Sequence, residues 1–404
     1  LSQTVSYPWG NQISADALAS FNSMEGVYEP IVELRQPVAT DAEAQPSLWP
    51  GYVLSAVLAA LSFGLQFLPV WPFQIVRGEA IKHPISAAIL AILVGVLVRN
   101  LLPLGSRFKP GCRKIVKKTI PVAIVFMGLG LNLTTIASVG VSALAITVAC
   151  TILAVLVAVA CGRALGLGQR LSLLIGAGTG ICGNSAIVAV APLIDAEDED
   201  MALSVGTINL FGLLTMLVCP VIGKILAMSS ETFGVWAGTS IHAVPQVVAA
   251  GFAFDGDAGT VATAVKLVRV AMMAPLVMVL TVMYARDRAA KPDGGGQLIV
   301  HYARLVPWFV WGFAGASLLC TFGFVPELQF AATGVFDAPQ SVSLHEVARL
   351  GGKILLTLAM AAIGLEVNIR ALASVSARAV LAGFLASVGL MIGSLGLIWL
   401  LIGW

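Results

Sequence analysis

From Tyr52 onward the chain repeats one pattern: continuous apolar runs of about 20 residues, separated by short polar or basic stretches. A helix of that length crosses the roughly 30 Å hydrocarbon layer of a bilayer. About eleven such runs can be placed, near 52–69, 84–101, 119–136, 141–163, 171–194, 201–226, 232–253, 258–285, 305–325, 345–368 and 379–402. They are unbroken, unlike the ten-residue alternations of a membrane barrel. Composition agrees, with 58% apolar and 11% charged residues, against about 25% charged in soluble domains. So little charge cannot coat a water-soluble enzyme of this length, and a net charge of +2 lacks the basic surface of a nucleic-acid binder. The sequence predicts an all-α polytopic membrane protein with about eleven transmembrane helices.

Residues 1–48 differ from the rest. Six acids against Arg35 give them a net charge of −5. They lack the basic start and apolar core of a secretory signal. They read as an acidic N-terminal soluble arm before a transmembrane transporter domain at 49–404. Loop charge orients the spans. The stretch after the second run carries Arg99, Arg107, Lys109, Arg113, Lys114, Lys117 and Lys118, which the positive-inside rule puts in the cytoplasm. Alternation through eleven spans then puts Arg163, Arg170, Lys224, Arg286, Arg288, Lys291, Arg304, Arg370 and Arg378 on the same side. The acidic run Asp195–Asp200 and the pair Asp255 and Asp257 fall outside, with Arg77 and Lys82 as the dissenting bases. The expectation is a multi-pass protein of a bacterial inner membrane, N-terminus cytoplasmic and C-terminus periplasmic.

Two internal echoes are visible. AGTGICGNSAIVAVAPLID (177–195) matches AGTSIHAVPQVVAAGFAFD (237–255) at an offset of 60 residues, and GLGLNLTTIA (128–137) matches AIGLEVNIRA (362–371). Duplicated transporter halves leave such traces. With eleven spans the second pair is antiparallel, as an inverted repeat requires. The first pair comes out parallel, which an inverted repeat forbids unless one member is re-entrant.

The first echo also holds the chemistry. Gly178, Gly180 and Gly183 interrupt an apolar run, with Thr179, Cys182, Asn184 and Ser185 at mid-membrane depth. Irregular backbone at that depth must be buried in protein or line a cavity. A helix restarting at Asn184 or Ser185 would aim free N–H groups at an anion; the alternative is close helix packing on small residues. Its partner segment has Pro245 as breaker and Thr239, Ser240, His242 and Gln246 as polar groups. His242 could shuttle a proton or donate to an anion, or sit neutral between helices. Lys266 and Arg269 lie three apart on one face near the middle of the eighth run. Charges so deep face the bundle interior and commonly mark an ion or substrate path, unless they pair with a buried acid or snorkel. Glu366 reads as a solvated helix end, alongside Asn132 and Asn368; Asn209 is a weaker candidate for hydrogen bonding between helices.

The six cysteines (Cys112, Cys150, Cys161, Cys182, Cys219 and Cys320) show no C-x-x-C spacing and read as buried thiols, not a disulfide framework or zinc site. There is no hydrolytic, redox or nucleotide-binding motif. No catalytic residue, metal or cofactor is expected, and the chain does not read as an enzyme.

GTGICGNSAIVAVAPLID resembles the YeiH-like sulfate exporter family, as do MGLGLNLTTI, GTSIH followed by QVVAAG, and ATAVKLVRVAMMAP. The resemblance covers about 50–404 and leaves out the acidic arm. That family is similar to the cation/proton antiporter and bile-acid-type transporter group, which implies inverted repeats, discontinuous (broken) helices and a small sulfur oxyanion as cargo. The family pattern commonly sets an acid after the histidine, in H-E-V-A-Q, whereas here Ala243 follows His242. The reading is a secondary active transporter exporting sulfate, sulfite or a sulfonate by alternating access. Thr179, Gly180, Cys182, Gly183, Asn184, Ser185, Thr239, Ser240, His242, Gln246, Lys266 and Arg269 would form its substrate site. A proton or sodium ion is open as coupling partner, and so is a homo-oligomer in the lipid bilayer; no nucleic acid is expected. A sodium- or proton-coupled antiporter for another substrate, or an anion channel, are the alternatives.

Overall fold

The computed structural model describes residues 47–68, 75–77, 80–82, 86–102, 104–129, 133–289, 307–324, 327–330, 340–367 and 376–403. Residues 1–46 of the acidic arm, Asn132, Asn368 and residues 290–306 lie outside these residues.

The first helices are α1 (Trp49–Gln66), α2 (Ala87–Leu101), α3 (Lys109–Gly128) and α4 (Leu133–Ala164). Next come α5 (Gln169–Gly180), α6 (Asn184–Val190), α7 (Asp198–Ile225), α8 (Ser230–Ser240), α9 (Val244–Phe254) and α10 (Gly256–Ala271). The last are α11 (Met273–Ala289), α12 (Trp308–Thr321), α13 (Leu344–Glu366) and α14 (Ala377–Leu401). Two small antiparallel hairpins join them: β1 (Ile75–Arg77) with β2 (Ala80–Lys82) between α1 and α2, and β3 (Glu327–Phe330) with β4 (Gln340–Ser343) between α12 and α13.

The protein is a polytopic helical membrane protein. Among the described residues six helical stretches are long and apolar enough to cross a bilayer: Trp49–Gln66, Ser142–Ala164, Asp198–Ile225, Gly256–Tyr284, Glu346–Glu366 and Ala377–Leu401. Shorter apolar helices include α2 and α12. Polarity is inverted relative to a soluble fold. Ile225, Val282, Trp311 and Leu400 stand outward, while Lys266 and Arg269 are wholly enclosed. Such an outer surface suits lipid, which has no water to expel apolar groups.

Helix starts follow the usual chemistry. Ser86 caps α2 by accepting from the Ile89 amide at 3.4 Å, and Asp255 caps α10 by accepting from Ala258 at 2.7 Å. Asp198, Glu199 and Asp200 fill the first turn of α7, where negative charge meets the positive end of the helix dipole.

The helices pack in two groups. In one, α1, α2, α3, α12 and α13 pack together, and glycines bring backbones into contact: a Cβ at Gly95 would lie 2.7 Å from the Ala361 carbonyl of α13. That packing, with Asn100 Nδ2 donating to the Val367 carbonyl at 2.9 Å, encloses the end of α13. Glu366 is therefore buried, not solvated as the sequence suggests. The second group holds α4 to α11 and α14, and meets the first where α9 packs on α2 and α13, α10 on α3, and α12 on α4.

Two of the expected spans do not cross the second group at all. A straight 25-residue helix would hold Ser230 and Asp255 about 37 Å apart. Instead Ser230 Oγ donates to Asp255 Oδ2 at 2.6 Å, and the rings of Phe233 and Phe254 stack at 4.0 Å. Thus α8 and α9 form a helical hairpin that turns back at 241–243. α10 runs between both arms: Gly234 and Gly238 of α8 face Val261 and Val265, while Gly251 of α9 faces Gly259.

Residues 169–193 also turn back. α5 ends at Gly180 and α6 starts at Asn184. A Cβ on Gly178 would lie 3.0 Å from Ile187 of α6, which folds the second arm against the first. The arm finishes as a short 3-10 turn, Ala191–Leu193. Asp200 in the first turn of α7 then lies within electrostatic reach of Arg170, at the start of α5. So 171–194 and 232–253 are re-entrant, which corrects the expectation that each of them crosses. Their runs were long enough to span, but length does not distinguish a crossing from a turn in mid-layer. α7 does cross, from the open end of the first hairpin to that of the second. The hairpins therefore enter from opposite ends and meet tip to tip.

Candidate functional site

The first tip is built from glycine. Gly183 sits at φ 75°, ψ −126°, a region closed to residues with a Cβ. Gly180 lets α5 approach α4, a Cβ there lying 3.1 Å from the Thr151 carbonyl. The second tip turns without glycine: Ala243 is extended and Pro245 stands in the first turn of α9, where its missing N–H is not needed. Gln246 Oε1 accepts from the Ala243 amide at 3.1 Å and closes the turn.

Each tip ends a half-helix, so its last carbonyls have no partner within the helix. Lys266 and Arg269 satisfy them. Lys266 Nζ donates to the Ile181 carbonyl at 2.7 Å and to the Ile241 carbonyl at 2.9 Å. Arg269 Nη2 donates to the Thr179 carbonyl, and Nη1 to that of Thr239 at 2.7 Å. Its Nε takes Gly180 at 2.5 Å and Nη1 also reaches Ile241 at 3.1 Å. The paired acceptors, Ile181 with Ile241 and Thr179 with Thr239, are residues matched by the 60-residue echo. Two side chains from one face of α10 thus staple matching points of two hairpins. Arg269 makes its hydrogen bonds to carbonyls; its partners among the described residues include no carboxylate.

α14 supports the tips from behind. Ser394 lies 2.6 Å from Thr239 Oγ1, and Trp236 Nε1 donates to the Met391 carbonyl at 3.1 Å. Ser387 Oγ donates to the Gly383 carbonyl at 2.7 Å and lies 3.0 Å from His242 Nε2. Nδ1 of His242 has no partner among the described residues. On α7, Asn209 Oδ1 accepts from Asn184 Nδ2 at 3.0 Å, and on α4 Thr151 Oγ1 donates to the Gly180 carbonyl at 3.2 Å.

All twelve residues singled out in the sequence lie at or next to the two tips, and every one is buried. Their placement differs from expectation in one respect: the donors of Lys266 and Arg269 point at backbone, not into an open cavity. α6 is only seven residues long and makes a poor dipole for an anion. Sequence reasoning missed Thr151, Thr207, Trp236, Ser387 and Ser394. The serines had a signal, since Gly383, Ser387 and Ser394 recur at helical spacing within an otherwise apolar run. Several buried polar atoms near the meeting point remain unspent among the described residues: Oγ1 of Thr179 and Thr207, Oγ of Ser240 and Nδ2 of Asn209. Each of these is able to donate.

Residues 50–383 match the model of the family described as conserved hypothetical protein 698. The chain belongs to that family. It is 31% identical over 369 residues to a UPF0324 membrane protein of Brucella melitensis biotype 1, covering 91% of this chain and 95% of the relative. A UPF0324 membrane protein of Bradyrhizobium diazoefficiens is 32% identical over 357 residues, covering 88% and 93%. One from Agrobacterium fabrum is 34% identical over 313 residues, covering 77% and 83%.

Proposed function

We propose that this protein is a secondary transporter that moves a small oxyanion (sulfate, sulfite or a sulfonate), in the export direction, by alternating access. The observation that carries the reading is the buried meeting of two re-entrant tips around Lys266 and Arg269. Each half-helix end carries about half a negative charge. Two such ends offset about one of the two side-chain charges, so the centre keeps a positive balance. Among the described residues, Thr179, Ser240 and Asn209 keep hydroxyl or amide donors without partners at or beside the tips. Positive potential with spare donors favours an anion and disfavours a cation. The resemblance to the YeiH-like exporters points to the same cargo class.

Sidedness supports alternating access. Replacing two crossings by two re-entrant hairpins leaves the alternation balanced, so the proposed orientation keeps the N-terminus cytoplasmic and the C-terminus periplasmic. Only the intervening loops move. The acidic run 195–200 becomes cytoplasmic, and Lys224 becomes external. The helices α5–α7 and α8–α10 then form two units of hairpin plus crossing helix, inserted in opposite senses. This removes the parallel-repeat conflict in the sequence. Each tip is reached from a different side, so displacing one hairpin opens the centre to that side only. The cargo oxygens would take the donors of Thr179, Ser240 and Asn209, with the field of Lys266 and Arg269 behind them.

The test is counterflow in proteoliposomes loaded with unlabelled sulfate, sulfite or taurine and given the labelled compound outside. Exchange of at least one oxyanion is expected. Replacing Asn209 by Leu together with Ser240 by Ala should raise the apparent half-saturation about a hundredfold, the loss of two hydrogen bonds to a charged group at about 1.5 kcal/mol each. Cation flux under an imposed gradient with no oxyanion exchange would refute the assignment. Large single-channel currents without counterflow would favour a channel.

A further inference from the structure

Carbonyl oxygens of both tips converge on the ammonium group of Lys266. We propose that Lys266 Nζ stands where a bound monovalent cation would otherwise be held, so that the tips are neutralised without sodium or potassium. As far as it concerns transport, the inference rests on the transporter reading; the cation site itself rests on the tip geometry alone.

Nζ lies 2.7 Å from the Ile181 oxygen and 2.9 Å from the Ile241 oxygen, and both oxygens belong to interrupted backbone inside the protein. Backbone oxygens of unwound or terminating half-helices are the groups that coordinate monovalent cations within membranes. Here they converge from opposite hairpins on one ammonium group, which is wholly enclosed. Arg269 lies one helical turn further along the same face and occupies the neighbouring oxygens of Thr179, Gly180 and Thr239. Matching residues of the echo supply matching oxygens, so the cation belongs to the interface between hairpins and not to either alone. A diffusible cation would bind and leave, making tip contact depend on its concentration. A tethered ammonium keeps the tips joined whatever the salt. A gradient of sodium or potassium then has no binding step through which to drive this centre.

Lys266→Ala removes the ammonium and leaves the oxygens. The expected result is a detergent-purified variant whose melting temperature is lowered in choline chloride and rises by about 2–4 °C, saturably, on adding Na+, K+ or ammonium. The unaltered protein should melt within about a degree in all four salts. In liposomes the unaltered protein should exchange anion at rates within about twofold across sodium, potassium and choline. A variant indifferent to every small cation would overturn the assignment of the site. A sodium requirement in the unaltered protein would overturn the claim of independence, and that measurement stands even where the variant does not fold. Loss of oxyanion exchange with the salt-dependent melting intact would instead strike the transport reading alone.

Discussion

The two re-entrant hairpins start from nearly the same words and turn by different means. AGTGICGN bends through Gly183 at φ 75°, whereas AGTSIHAV keeps an extended Ala243 and closes with Pro245 and Gln246. The second hairpin is longer in its return arm and is tied at its open end by Ser230 to Asp255 and by the stacked Phe233 and Phe254. The first returns for only seven residues before a 3-10 turn. The equivalent aspartates differ as well: Asp255 is an extended N-cap, while Asp195 sits at φ 49°. What the two share is the pair of carbonyls offered to α10. The two turns thus present matching acceptors by different routes.

The comparison can be broken most severely at its common element. Arg269→Met leaves the carbonyls of Thr179 and Thr239 without their side-chain donor, and that of Gly180 with Thr151 alone, in a wholly buried place. Each orphaned group costs about 1–3 kcal/mol. The variant should lose monodispersity on size exclusion in detergent and melt far below the parent; an unchanged melt would show that the staple carries no weight.

The next effect separates the tips. Gly183→Ala forces a Cβ into a backbone region open to glycine alone and should cost about 1–3 kcal/mol, seen as a lower melting temperature. Ala243→Gly, at the matching position, adds only unfolded-state freedom and should cost about 0.5–1 kcal/mol. Equal losses at both positions would mean that the turns are not different in kind.

The smallest effect concerns the open ends. Asp255→Ala removes the N-cap of α10 and the tie to Ser230, for a loss of about 1 kcal/mol. Asp195→Gly relieves a positive φ and should be neutral or gain up to about 1 kcal/mol. Melting curves of the two variants should therefore move apart.

Much of this was legible in the chain. The helix breaks at Gly178–Gly183 and Pro245, the depth of Lys266 and Arg269, and the offset of 60 residues all follow from composition and spacing. The return of each broken segment on itself was not, because 24 apolar residues fit a crossing or a hairpin equally well. Nor were the partners of the two cations: every residue owns a carbonyl, so no residue type announces that acceptor. Ser387 and Ser394 gave only their helical spacing as a signal, because a serine in a membrane helix can satisfy itself on its own backbone, as Ser387 does on Gly383.

The distance along the chain between the first tip and its staple bears on synthesis. The Thr179 oxygen waits for Arg269, 90 residues later. At about 5–20 residues per second, the first hairpin emerges roughly 4–18 s before the group that satisfies it. During that interval bare carbonyls cannot rest in hydrocarbon. The hairpin must stay at the wet rim of the insertion machinery, or with its escort, until α10 is made, so the protein's centre is assembled last and from both sides at once.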